Sequence, residues 1–233
     1  MRGVSGNEKG REGGGMILSW GRGYVFVHIP KTGGTALALA LEDRAMKDDI
    51  LLGDTPKAKR RRRRVQGARS RGRLWKHSTL ADIDGLVSLA ELEGMFAFTL
   101  VRNPWDRMVS YYHWLRQQRF RHLAVAKAKR MDFGEFATDP GILASLRATP
   151  AGSYMTRADG VEQCALYIRL EHVEEDAAPL WDHLGFRVDL PVENVSDRAR
   201  DYRGYYTDAA AEAVGLACAV DVARFSYGFG PGG

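Results

Sequence analysis

Three short apolar runs stand out along the chain. Residues 24–29 (YVFVHI), 95–101 (MFAFTLV) and 164–170 (CALYIRL) concentrate β-branched and aromatic side chains, the pattern of strands buried on both faces. Each run leads into a helical pattern. Thr35 opens TALALALEDRAM, rich in Ala and Leu. Asn103 supplies a helix cap, Pro104 the first helical position and Asp106 an acidic first turn for WDRMVSYYHWLRQQ, with Met108, Tyr111, Tyr112 and Leu115 as its expected core face. Residues 171–185 (EHVEEDAAPLWDHLG) read as an amphipathic helix ended by Gly185. Thr207 caps a last Ala-rich helix through Phe225.

Between these units the signals are weaker. Residues 74–77 suggest a brief strand, followed by Ser78 and Thr79 capping a short helical patch through Leu92. Residues 120–149 read as short helices broken at Gly134 and at Asp139-Pro140-Gly141, and residues 190–206 as loop. No internal repeat is found. Strands alternating with helices predict an α/β protein with three layers, a central parallel sheet flanked by helices. Ligands of such sheets bind beyond the carboxyl ends of the strands.

A chain of 233 residues, 45% hydrophobic and 27% charged, suits a single domain, expected over residues 21–230. Residues 1–20 read as a flexible Gly-rich lead, within which Met16 could be the true start. No apolar run approaches the roughly 20 residues a membrane span needs, and the N-terminus lacks the apolar segment of a secretory signal. Cys164 and Cys218, both in apolar surroundings, suggest buried thiols in a reducing compartment, so a cytoplasmic location is expected. No metal-ligand spacing is present.

The net charge of +5 hides an uneven distribution. Residues 57–73 (KAKRRRRRVQGARSRGR) hold ten basic residues and no acidic one; setting those ten aside leaves the remainder at −5. Consecutive arginines repel, which predicts a solvated, mobile loop. The same charge could capture a polyanionic acceptor, a nucleic acid or a membrane surface. With no aromatic residue before Trp75, a single-strand nucleic-acid platform is disfavoured.

The turns after the first two strands carry the candidate chemistry. HIPKTGGT (residues 28–35) places Lys31 and two glycines between a strand and a helix start, an arrangement that receives phosphate-like anions through backbone N–H groups and the helix dipole. It also fits an ordinary strand-to-helix turn. Lys31 precedes Gly33 and Gly34, which is not the Walker order, so a common ATPase or GTPase is disfavoured. On the second turn Arg102 follows its strand directly, and a surface ion pair is the plain alternative to a ligand role.

With both turns in view, the chain resembles the PAPS-dependent sulfotransferases, in particular the branch with the carbohydrate O-sulfotransferases and their bacterial members. HIPKTGGT is similar to that family's 5′-phosphosulfate loop. LVRNPWDRMVSYY (residues 100–112) is similar to its 3′-phosphate motif, an Arg after a strand and a Ser eight residues on. YIRLEHVEED and DVARFSYGF extend the likeness over residues 24–229. The resemblance implies a P-loop-NTPase-like sulfotransferase fold and transfer of a sulfonate from 3′-phosphoadenosine 5′-phosphosulfate (PAPS) to an acceptor hydroxyl, on a carbohydrate, without a metal.

It further implies that Lys31, Thr32, Gly33, Gly34 and Thr35 hold the phosphosulfate and that Arg102 and Ser110 hold the 3′-phosphate, with a late contact from Arg198. Ala36 stands where family members often carry Ser, so one hydroxyl contact is missing. Lys31 would neutralise the leaving oxygen. His77, in WKHSTLADI, would be the base, the branch placing a catalytic His on such a segment; a capping or packing role is the alternative. His28 reads as a core residue, and His113, His122, His172 and His183 as helix residues that pack or face solvent. Two other functions stay open: a polyanion-binding protein with a degenerate nucleotide site, and a P-loop-like kinase using ATP. Neither the acceptor nor the oligomeric state is legible.

Overall fold

The computed structural model describes residues 13–189, 199 and 201–230. The protein is α/β, built on a five-stranded mixed sheet. In chain order the strands are β1 (Met16–Ser19), β2 (Tyr24–Val27), β3 (Ile50–Leu52), β4 (Phe96–Val101) and β5 (Leu166–Arg169). Their order across the sheet is β3-β1-β2-β4-β5. Pairs β2–β4 and β4–β5 are parallel, whereas β1 is antiparallel to both β2 and β3. The other four strands therefore share one direction and β1 runs against them. The expectation of a purely parallel sheet is corrected on this point.

The extra strand lies in what was expected to be a flexible lead. Met16, Ile17, Leu18 and Ser19 are each at most 1% exposed. A tight turn closed by Gly23 N–H on Trp20 O (3.2 Å) folds β1 back on β2. A side chain at Gly15 would collide with Leu52 O at 2.0 Å and Lys76 Cβ at 2.6 Å, so the glycine there permits close packing and not freedom. A four-residue strand after a glycine run gives too short an apolar signal to separate from a linker.

The helices follow as α1 (Gly34–Asp43), α2 (Pro56–Arg61), α3 (Leu89–Glu93), α4 (Pro104–Gln117), α5 (Leu123–Arg130), α6 (Phe133–Thr138), α7 (Pro140–Ala148), α8 (Ala151–Tyr154), α9 (Val173–Asp176), α10 (Ala178–Leu184), α11 (Asp208–Ala217) and α12 (Ala219–Phe225). Gly134 lies inside α6, whose Asp132 capping box outweighs a single glycine. The last helix is broken at Cys218. Residues 74–77 form a turn and not a strand.

The basic run is also more ordered than a mobile loop. Thr55 accepts the Ala58 N–H and Pro56 starts α2, after which Arg62–Val65 continue as a 3-10 turn. Lys57 donates to Glu42 O, Arg61 to Met46 O and Asp49 O, and Arg64 to Asp49 O. Carbonyls on one side take up the charge that repulsion would otherwise spread. All but Lys57 and Arg61 of the ten basic residues are exposed.

Packing fixes the sheet and α4 rigidly. Tyr24, Phe26 and Phe98 are fully buried, with Phe26 and Phe98 ring centroids 5.3 Å apart; each such side chain contributes about 1.5–3 kcal/mol by burial. On α4, Trp105, Met108, Val109, Tyr112 and Leu115 are buried at helical spacing, with Tyr111 half-buried. Trp105 Nε1 donates to Ala211 O (2.8 Å), which locks α4 to α11. Among the described residues no helix is long and apolar enough to cross a membrane.

Candidate active site at the ends of two parallel strands

The parallel register pairs Tyr24 with Phe96 and Val27 with Thr99, so β2 and β4 start level, β4 runs on two residues further to Val101, and the turns that follow lie side by side. After β2 the chain crosses to β3 on one side, while after β4 it moves to β5 on the other. The crevice between these two strands is thus a topological switch point, where open α/β sheets bind ligands.

The first turn has the backbone of an anion cradle. Lys31 (φ 67°) and Gly33 (φ 81°) are left-handed, and Gly33 caps α1 without any side chain satisfying the helix start. α1 carries no acidic residue in its first turn, so its dipole favours a negative ligand there. A Cβ at Gly33 would sit 2.6 Å from Leu170 Cδ1, and one at Gly34 would sit 2.5 Å from His28 Cδ2. Thr35 is half-exposed at the helix start. Thr32 departs from the expected role: it is 2% exposed and donates its hydroxyl to Ile29 O (2.9 Å), which spends its one proton inside the loop.

The second turn reaches across to the first. Arg102 Nη1 donates to Lys31 O (3.3 Å), and Arg107 Nε, one turn into α4, donates to Pro30 O (3.0 Å). Lys31 Nζ lies 5.5 Å from the Trp114 ring centroid. The α4 positions 107, 110–111 and 114 therefore form the face turned to the loop. Arg102 also pairs with Asp106, through Nε at 2.8 Å and Nη2 at 2.5 Å, so the ion-pair alternative describes this state of its side chain. Ser110 follows Asp106 by one turn and is 9% exposed.

Asn103 takes part as well. Its Oδ1 accepts the Trp105 N–H (3.1 Å) and its own N–H donates to Glu171 Oε1 (2.7 Å). Burial raises the Glu171 carboxyl above the usual range, opposed by the Asn103 N–H and the charge of Arg102. Arg198 lies outside the described residues.

His77 is brought to the same place by the turn that replaces the expected strand. Met16 N–H donates to Lys76 O (3.1 Å), and the buried Ser78 hydroxyl accepts the Trp75 N–H (2.9 Å). The His77 Nδ1 lies 2.8 Å from His28 O. A carbonyl can only accept, so Nδ1 carries the proton and Nε2 holds the lone pair. Burial lowers the His77 pKa to about 4, assisted by the charges of Lys76 and Arg107 and opposed by the His28 carbonyl and Asp54. The ring is neutral at physiological pH. His28 is 4% exposed, bonds Gly14 O through Nδ1 (3.0 Å) and has its pKa pushed well down by burial, as a core residue would.

Arg107, Trp114 and Glu171 belong to this site although sequence reasoning passed over them. Arg107 and Trp114 could have been found from their spacing on α4, one turn either side of Ser110; nothing in the sequence marks Glu171. Cys164 and Cys218 are free and half-buried, with burial pushing their pKa values up to about 12 and about 11. Among the described residues no group of three or more His, Cys, Asp and Glu is placed to hold a metal ion. A surface depression lined by Trp181, Phe186 and Arg187 includes none of the residues of the two turns. Comparison of the chain with protein-family models, with curated proteins and with solved structures finds no match.

Proposed function

We propose that the protein is a sulfotransferase that moves a sulfonate from PAPS to a hydroxyl of a carbohydrate acceptor. The observation that carries this reading is the contact of Arg102 with the Lys31 carbonyl: one nucleotide with anionic groups at both ends can touch both turns at once. The fit to the donor rests on the uncapped, glycine-built start of α1 for the phosphosulfate and on the guanidinium of Arg102, with Ser110, for the 3′-phosphate. The sulfotransferase version of the P-loop-like fold belongs to the same proposal.

In this reading His77 Nε2 accepts the acceptor hydroxyl proton as the oxygen–sulfur bond forms. The bond between sulfur and the phosphate oxygen breaks, and Lys31 neutralises the charge left on that oxygen. A base of such low pKa is weak when the site is empty. The negative charge of the donor would offset the nearby Lys76 and Arg107 and raise it.

The exposed cations of residues 57–73 favour an acceptor that is itself polyanionic, and they also favour the second reading, a polyanion-binding protein. Radiolabelled PAPS and a panel of glycans decide between them. The sulfotransferase reading predicts label on a glycan, a rate reduced by about 10²–10⁴-fold in His77→Ala, and unchanged affinity for adenosine 3′,5′-bisphosphate in that variant. Glycan binding without transfer, abolished by deleting residues 57–73, would support the binding protein. Magnesium-dependent transfer from ATP would support a kinase.

A further inference from the structure

Two partly exposed tryptophans stand beside the two groups assigned to chemistry. Trp75, 40% exposed, meets the His77 ring edge-on with centroids 5.1 Å apart. Trp114, half-exposed, carries the Lys31 ammonium 5.5 Å from its centroid. His77 is bonded to the His28 carbonyl and Lys31 is three residues further along the same strand and loop, so both rings flank one site. Trp114 packs part of its ring against the core around α4 and leaves the rest in water, whereas Trp75 takes no part in the hydrophobic core. Trp75 is instead stacked by Arg73, whose Cζ lies 5.2 Å from its centroid. Trp114 lies between the half-buried Tyr111, at 6.3 Å and near-parallel, and the 49% exposed Phe120 at 6.0 Å.

Burial does not account for a large ring left half in water beside a cation, but ligand stacking does. The C–H face of a pyranose carries partial positive charge and suits the negative face of an indole. A phenol or lipid acceptor calls for an enclosed apolar pocket, whereas each of these rings is partly open to water and carries a cation, Arg73 over Trp75 and Lys31 over Trp114. We infer that Trp75 and Trp114 are the acceptor subsite and stack pyranose rings of an anionic glycan on either side of the reacting hydroxyl. The inference rests on the proposed function only in requiring the acceptor to reach His77 and Lys31.

The test is saturation-transfer NMR, irradiating upfield methyl protons of the full chain, where none of the probes resonates, in the presence of adenosine 3′,5′-bisphosphate. The probes are pooled chondroitin, alginate and dextran oligosaccharides, with 2-naphthol as the phenolic rival. The expected result is transfer to pyranose ring protons of the acidic oligosaccharides. It should fall severalfold in Trp75→Ala and in Trp114→Leu and persist in Trp114→Phe, with calorimetric nucleotide affinity unchanged in Trp75→Ala. Once an acceptor is found, its KM should rise about three- to tenfold in Trp75→Ala with little change in kcat. Transfer to glycan that is equal in wild type and both variants, absent from every glycan, or found on 2-naphthol alone would overturn the subsite. Glycan transfer that depends on both rings in a protein that does not bind the nucleotide would uphold the subsite and overturn the sulfotransferase.

Discussion

The turns after β2 and β4 look alike in sequence, each a strand running into a helix with a basic residue between, yet they solve the helix start in opposite ways. The first leaves α1 without a side-chain cap and holds Lys31 and Gly33 in left-handed backbone. The second is closed: Asn103 accepts two backbone N–H groups, Pro104 has none to offer and Asp106 puts negative charge in the first turn. An anion can be cradled by backbone at the first turn. At the second it must rely on side chains, Arg102 foremost. In the proposed reading the first turn encloses the reacting group and the second reads a fixed charge at a distance.

The largest expected effect breaks the first turn chemically while relaxing it structurally. Lys31→Gly removes the ammonium and relieves a left-handed non-glycine residue, a strain of about 1–2 kcal/mol. Turnover should fall by about 10²–10³-fold, while the melting temperature holds or rises. A variant that loses stability and activity together would mean that Lys31 serves the fold. Next in size, Arg102→Ala should weaken adenosine 3′,5′-bisphosphate binding by about 1.5–3 kcal/mol in calorimetry. An unchanged affinity would reduce Arg102 to the partner of Asp106.

Asn103→Ala sharpens the contrast. Removing the cap should cost about 1 kcal/mol of stability in denaturant unfolding, with smaller change in nucleotide affinity, because the second turn does not bind through its backbone. The same substitution has no counterpart at Gly33, where no side chain caps the helix.

The smallest effect is on the pH profile near neutrality. With the His77 pKa lowered from 6.5 to about 4, kcat/KM should stay nearly level from neutral pH down to about pH 5 and fall as pH drops through about 4. Between the two values the unfolded chain binds a proton that the folded chain does not. Stability is therefore complete above pH 6.5 and declines as pH falls toward 4. His77→Gln should flatten the part of that decline due to this ring, leaving the part due to His28.

Much of this was legible in the chain, for identifiable reasons. The parallel strands β2 and β4 announce themselves as apolar runs too dense to face water, and α4 by Asn103-Pro104 ahead of a helical period; β5, read the same way, is an edge strand in which only Ile168 is buried. What stayed hidden was set by contacts distant in sequence. Met16–Ser19 becomes a strand because Tyr24–Val27 and Ile50–Leu52 lie on either side of it, which no local propensity encodes. The basic helix forms because carbonyls at Met46 and Asp49 receive its arginines. Composition alone predicts only their repulsion. Lys31, Arg102 and His77 were readable as candidates, but their meeting depends on strand register and on the Lys76–Met16 bond. The commitment of Thr32 to Ile29 depends on a loop geometry that its motif does not specify.

Titration calorimetry of the full chain with adenosine 3′,5′-bisphosphate and with ATP, each with and without magnesium, tests the two-ended nucleotide site most directly. The account predicts one bisphosphate per chain, bound without metal, preferred to ATP and weakened separately by Lys31→Gly and Arg102→Ala. Preference for ATP with magnesium, or bisphosphate binding indifferent to both substitutions, would contradict it.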